Sequence, residues 1–86
     1  MDLQDYRVQI DQIDDEIIRL FKERMEVSLQ IAQYKKEHNL PTLDAGREEE
    51  KLAAIGEKAG ETLRPHARKL YATLAELSRA YQDGVA

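Results

Sequence analysis

An uninterrupted apolar stripe runs through the first part of the chain and limits what it can fold into. Leu3, Tyr6, Ile10, Ile13, Ile17, Leu20, Arg24, Val27, Ile31 and Tyr34 recur at alternating intervals of three and four. That spacing puts them on one face of an α-helix. No Gly or Pro falls between residues 2 and 38, and Asn39 and Pro41 then stop the run. The pattern predicts a first helix over residues 3–38. At about 1.5 Å per residue it would be roughly 50 Å long. A compact chain of this size has a radius of gyration of only about 12 Å. The rest of the chain is too short to cover the whole stripe, so the uncovered part calls for a second chain. A homodimer with its two long helices packed together is the simplest solution.

Two shorter helices follow. Asp44 is a suitable N-cap for the second, with Glu48 and Glu49 near its positive end. Its stripe is Ala45, Glu48, Leu52, Ile55 and Ala59, and Gly60 marks its end. Thr62 is the expected cap of the third, with Pro65 tolerated in its first turn. The third stripe is Leu63, Ala67, Leu70, Leu74, Leu77 and Tyr81, and Gly84 is expected to end that helix. The fold class is therefore all-α, with one long and two shorter helices in a single domain over residues 1–86.

Several function classes are set aside at this point. Cysteine is absent, which removes disulfides and thiolate chemistry. The net charge of -4 argues against nonspecific nucleic-acid binding. No apolar run reaches the length of a membrane span or a signal-peptide core, so cytoplasm is the default location. There is no Gly-rich phosphate loop and no metal-ligand spacing. His38 and His66 stand alone and are expected to be exposed. Glu48, Glu49 and Glu50 are consecutive, so a helix fans them apart, and a solvated face is the simpler reading.

Two charges sit where a core should be. Arg24 lies between Leu20 and Val27 in the first stripe, and Glu48 between Ala45 and Leu52 in the second. Each needs a partner or a ligand, because burying either alone is costly. The plain reading is that they pair with each other. More polar groups flank the stripes. Lys35 follows Arg24 by three turns on almost the same face. Ser78 and Gln82 share a face of the third helix, and Arg47 adjoins Glu48. Singly each reads as a surface residue; together they suggest a cationic, hydrogen-bonding pocket between helices. Arg7 also flanks the first stripe, but about 42 Å of helix separates it from Lys35. It could reach such a pocket only from an antiparallel partner chain.

These residues carry a resemblance. YRVQIDQID (Tyr6–Asp14) looks like the opening of the all-helical chorismate mutases, and LFKERMEVSLQIAQYKKEHNLPTLDAGREEE (Leu20–Glu50) resembles the rest of their signature. That signature is ER-x10-K followed by D-x-x-RE. LYATLAELSRAYQ (Leu70–Gln82) resembles their closing helix with its S-x-x-x-Q pair. The resemblance implies an intertwined helical homodimer with two equivalent sites and no cofactor or metal. It implies chorismate as substrate, a dianion rearranged to prephenate in phenylalanine and tyrosine biosynthesis. It also assigns the substrate contacts. Arg7, from the neighbouring subunit, and Arg24 take the carboxylates, supported by Arg47 and Ser78. Lys35 and Gln82 face the ether oxygen, and Glu48 takes the ring hydroxyl with Asp44 beside it.

Two other readings remain open. Isochorismate–pyruvate lyase shares the implied fold and a related chemistry, although the intact Glu48, Ser78 and Gln82 set favours the mutase. A non-enzymatic dimerisation module would explain the stripe but not the charges inside it. The resemblance extends to mutase domains fused to prephenate dehydratase and other shikimate-pathway enzymes. No feedback site for phenylalanine or tyrosine is expected in this chain.

Overall fold

The computed structural model describes residues 1–85 and contains three helices: α1 (Leu3–Glu37), α2 (Ala45–Ala59) and α3 (Arg64–Val85). No strand occurs among the described residues, so the fold is all-α. None of these helices is long and apolar enough to cross a membrane.

The start of α1 is fixed by a capping box. The Asp2 carboxylate accepts from the Asp5 N–H at 2.9 Å, and the Asp5 carboxylate accepts from the Asp2 N–H at 2.9 Å. At the other end Asn39 takes a left-handed φ of 55°, and the Leu40 N–H returns to the Lys35 carbonyl at 2.8 Å. Asparagine tolerates that conformation better than most side chains. Pro41 cannot continue the helix, so α1 stops one residue short of the expected 38.

Helix α2 begins as expected, with the Asp44 carboxylate accepting from the Arg47 N–H at 3.0 Å. It ends at Gly60, whose φ of 84° is a conformation glycine adopts without strain. Helix α3 departs from expectation at both ends. Glu61, Thr62 and Leu63 form a turn, and the Leu63 carbonyl rather than a Thr62 cap starts the ladder, accepting from the Ala67 N–H at 2.8 Å. Gly84 does not end the helix, which runs on to Val85. A glycine near a helix terminus costs only about 1 kcal/mol relative to alanine. It breaks the helix only where a positive φ is adopted, and Gly84 adopts none.

Helix α3 organises the chain. It packs against α2 and against the C-terminal half of α1, while α1 and α2 do not pack on each other. The result is elongated, 55 × 28 × 15 Å, with a radius of gyration of 16.0 Å. That exceeds the roughly 12 Å of a compact chain. The interior is correspondingly thin: among the described residues Ile55 is the buried apolar side chain, accompanied by the buried Ser28 and Ser78.

The chain buries the α2 stripe, through Leu52, Ile55 and Ala59, but not the α1 stripe and only part of the α3 stripe. Helix α1 meets α3 through Phe21, Met25, Ser28 and Ala32, one residue round from the stripe. Leu20, Val27 and Ile31 stay about half exposed, and every residue from Met1 to Leu20 is exposed. Helix α3 turns Ala67, Tyr71, Leu74 and Ala75 inward and leaves Leu63, Leu70, Leu77 and Tyr81 open. A single chain thus presents long unpartnered apolar faces on two helices, far more than isolated surface hydrophobics would explain. The opposite face of α1 is polar: Arg19 bridges Glu16 at 2.8 Å and Glu23 at 3.0 Å. Its hydrogen bond to Glu16, and then its charge, hold that carboxyl below the usual carboxylate range.

Candidate active site

A cleft of about 470 Å³ opens between the C-terminal half of α1, the connection to α2, the first turns of α2 and the C-terminal half of α3. Arg24, Lys35, Asp44, Arg47, Glu48, Ser78 and Gln82 all line it. The cleft thus gathers seven of the eight site residues expected from sequence. The eighth, Arg7, lies on the exposed N-terminal half of α1, outside the cleft. Val27, Ile31 and Leu52 supply an apolar wall. A mostly apolar cleft of this size with a few convergent polar groups has the usual character of a small-molecule site.

Several of these polar groups are held by the fold. The Arg24 guanidinium donates to the Ser78 hydroxyl at 2.8 Å, linking α1 to α3. The Gln82 amide donates to the Ser28 carbonyl at 2.7 Å, a second α1–α3 link one turn further on. The Lys35 ammonium donates to the Thr42 carbonyl at 3.1 Å and so ties the end of α1 to the loop before α2. These ties leave donors free, because an ammonium has three N–H bonds, a primary amide two and a guanidinium five. The Asp44 carboxylate is occupied as the α2 cap, with one oxygen on the Arg47 N–H.

The expected pairing of Arg24 with Glu48 does not occur. Glu48 pairs with Arg79, and Arg24 with Ser78. The reason is the position of α3, which packs on both neighbours and supplies each charge with its own partner. Ser78 and Gln82, which read singly as surface residues, are buried and half-buried respectively.

The sequence reading missed three contributors. Arg79 follows Ser78 and looks like a solvated charge; only a search of α3 for a partner to Glu48 would have found it. Lys51, one turn after Arg47 on α2, also lines the cleft. Ser28 acts through its backbone carbonyl, which no side-chain pattern reveals. Of the three consecutive glutamates only Glu48 reaches the cleft, while Glu49 and Glu50 are exposed. His66 is exposed, and His38 stacks on Tyr34 with ring centroids 4.0 Å apart, away from the cleft. Among the described residues no group of three or more His, Cys, Asp or Glu is placed to hold a metal ion.

No curated protein and no solved structure matches the chain. The sequence model of one family, described as chorismate mutase type II, matches residues 6–83, a span that takes in every polar residue of the cleft and Arg7 as well. With nearly the whole length matched and the helical fold in agreement, the chain belongs to the chorismate mutase type II family.

Proposed function

We propose that this chain catalyses the rearrangement of chorismate to prephenate, in the cytoplasm, on the route to phenylalanine and tyrosine, as a homodimer whose sites are shared between subunits. The observation that carries the reading is the cleft: the cations Arg24, Lys35, Arg47 and Lys51 line it together with a hydrogen-bonding set of Glu48, Ser78 and Gln82. Cations and donors with a single carboxylate acceptor suit a dianion bearing an ether oxygen and a hydroxyl. The open apolar faces of α1 and α3 support the assembly, because two copies packed along them would remove both from water. An antiparallel α1 would also bring Arg7 of the partner subunit to a cleft that its own chain cannot reach.

The reaction is intramolecular and pericyclic. The ether C–O bond breaks, a C–C bond forms, and no proton changes hands. Catalysis therefore consists of selecting the compact conformer and stabilising the charge that develops. The planar forks of Arg24 and the partner's Arg7 suit the two carboxylates. Ser78 orients Arg24 through their 2.8 Å bond. Negative charge grows on the ether oxygen as the C–O bond opens, and Lys35 and Gln82 each have an unused N–H to aim there. One such preorganised donor is worth about 2.7–4 kcal/mol of barrier. Glu48 keeps an oxygen free to accept from the ring hydroxyl.

The deciding test is ultraviolet loss of chorismate with product identification. Prephenate is the expected product. Release of pyruvate from isochorismate, with chorismate untouched, would make the protein a lyase of the same fold, and inertness toward both would leave a helical dimerisation module.

A substitution tests the role of Gln82. A neutral amide donates at any ordinary pH, whereas a carboxylic acid donates only while protonated. Gln82→Glu should therefore be most active in acid and lose activity as the new carboxyl ionises, since a carboxylate is no donor and repels the developing charge. Profiles of kcat/KM against pH for the variant and the wild type should diverge steadily toward alkali. Parallel profiles would remove Gln82 from the breaking bond.

A further inference from the structure

Arg79 pairs with Glu48 at the cleft wall, and nothing in the proposed contacts to substrate uses it. Its position explains why the two charges of the stripes stand apart. Arg24 and Glu48 line the same cleft, and in a half-enclosed space opposite charges seek each other. Ser78 and Arg79 are consecutive on α3, so their side chains leave the helix about 100° apart. Ser78 reaches α1 and takes Arg24, while Arg79 reaches α2 and takes Glu48. Two neighbouring residues on one helix thus divide the charges between them.

We infer that Arg79 is a positioning residue that holds the Glu48 carboxylate off Arg24 and offsets its charge where a dianionic substrate must bind. The inference rests on the chorismate reading for its substrate but not for its geometry. Without Arg79, the Glu48 carboxylate is released to swing across the cleft to Arg24, which lines the same space. The guanidinium that should receive a substrate carboxylate is then engaged, and an unbalanced negative charge faces the incoming anion. Both side chains of the Arg79–Glu48 pair are more than one-third exposed, so solvent screens the effect.

The test is a double-mutant cycle of Arg79→Met and Glu48→Gln, with Arg79→Lys as the conservative variant. Arg79→Met should raise KM for chorismate roughly fivefold, the upper size for one screened charge near the site, with a smaller fall in kcat. In the Glu48→Gln background the same change should raise KM by less than about twofold, because no carboxylate remains to be misplaced. Arg79→Lys should restore most of the lost affinity in the wild-type background. Equal rises in both backgrounds would show that Arg79 acts independently of Glu48, as a direct substrate contact or a packing element, and would overturn the inference. An unchanged KM would overturn it too. A crystal structure of Arg79→Met gives a reading independent of turnover. Glu48 should lie on Arg24, and a Glu48 left in place or turned to Lys51 would refute the positioning role. If the wild type proves inert toward chorismate, the chorismate reading alone fails and that crystal structure still decides the role of Arg79.

Discussion

Replacing Lys35 by alanine should lower kcat by about 10²–10³-fold, the loss that follows removal of one preorganised donor from a developing oxyanion. The fall should appear mainly in kcat, with KM changing less, because the bond to the ether oxygen strengthens only as the C–O bond opens. The ammonium is held by the Thr42 carbonyl at 3.1 Å, so its aim is set before substrate arrives. That tie also joins α1 to the loop before α2, and its loss should slightly reduce the melting temperature. Steady-state kinetics beside circular dichroism separate the two consequences. A variant that keeps its kcat would mean that Lys35 faces solvent or a carboxylate rather than the ether oxygen.

Ile17→Asp should be the most damaging single change to assembly. Ile17 sits in the part of α1 that touches neither α2 nor α3, so within one chain it contacts nothing that the substitution could disturb. In a dimer packed along the stripe the change would bury a carboxylate, once in each subunit. It would also forfeit an apolar side chain whose full burial is worth about 1.5–3 kcal/mol. The wild type should sediment as a dimer, with an unfolding midpoint that rises with protein concentration. Ile17→Asp should dissociate and largely unfold at micromolar concentration. Arg19→Ala, on the polar face of the same helix, should leave the assembly intact. A folded, active monomer, in either the wild type or Ile17→Asp, would defeat the shared-site assembly.

The ease with which the helices could be read from the sequence follows from how local their determinants are. Asp44 and Gly60 act within a turn of themselves, so the bounds of α2 follow closely from the residue types, and those of α1 follow from its unbroken stripe and from Asn39 and Pro41. The ends of α3 were less legible. Thr62 and Gly84 carry the right chemistry for a start and a stop, yet the turn at 61–63 and the continuing ladder decided otherwise. Six of the cleft residues, Arg24, Lys35, Arg47, Glu48, Ser78 and Gln82, were legible because polar groups in or beside an apolar stripe have few places to go, whereas Asp44 read as a helix cap and joined them only through the family resemblance. The pairing of those groups was not legible. It depends on α3 lying between Arg24 and Glu48, a tertiary fact that no periodicity encodes. The α1 stripe stays uncovered within one chain, as its length implies, but the face α1 turns to α3 lies one residue round from the stripe, which its period alone does not reveal.

The measurement that bears most directly on the central claim is complementation between Arg7→Ala and Lys35→Ala. Arg7 and Lys35 are separated by about 42 Å of helix, so within one chain they cannot serve one substrate. Each variant alone should be nearly inactive but folded, since every site in its dimer lacks one contact. When the two are mixed, unfolded and refolded together, each mixed dimer should contain one site with both defects and one with neither. With about half the dimers mixed and one of two sites intact in each, activity toward chorismate should recover to about a quarter of wild type. Recovery to that level, with prephenate as the product, is the result expected of a shared-site mutase. Confirmed mixed dimers that remain as inactive as their parents would contradict it.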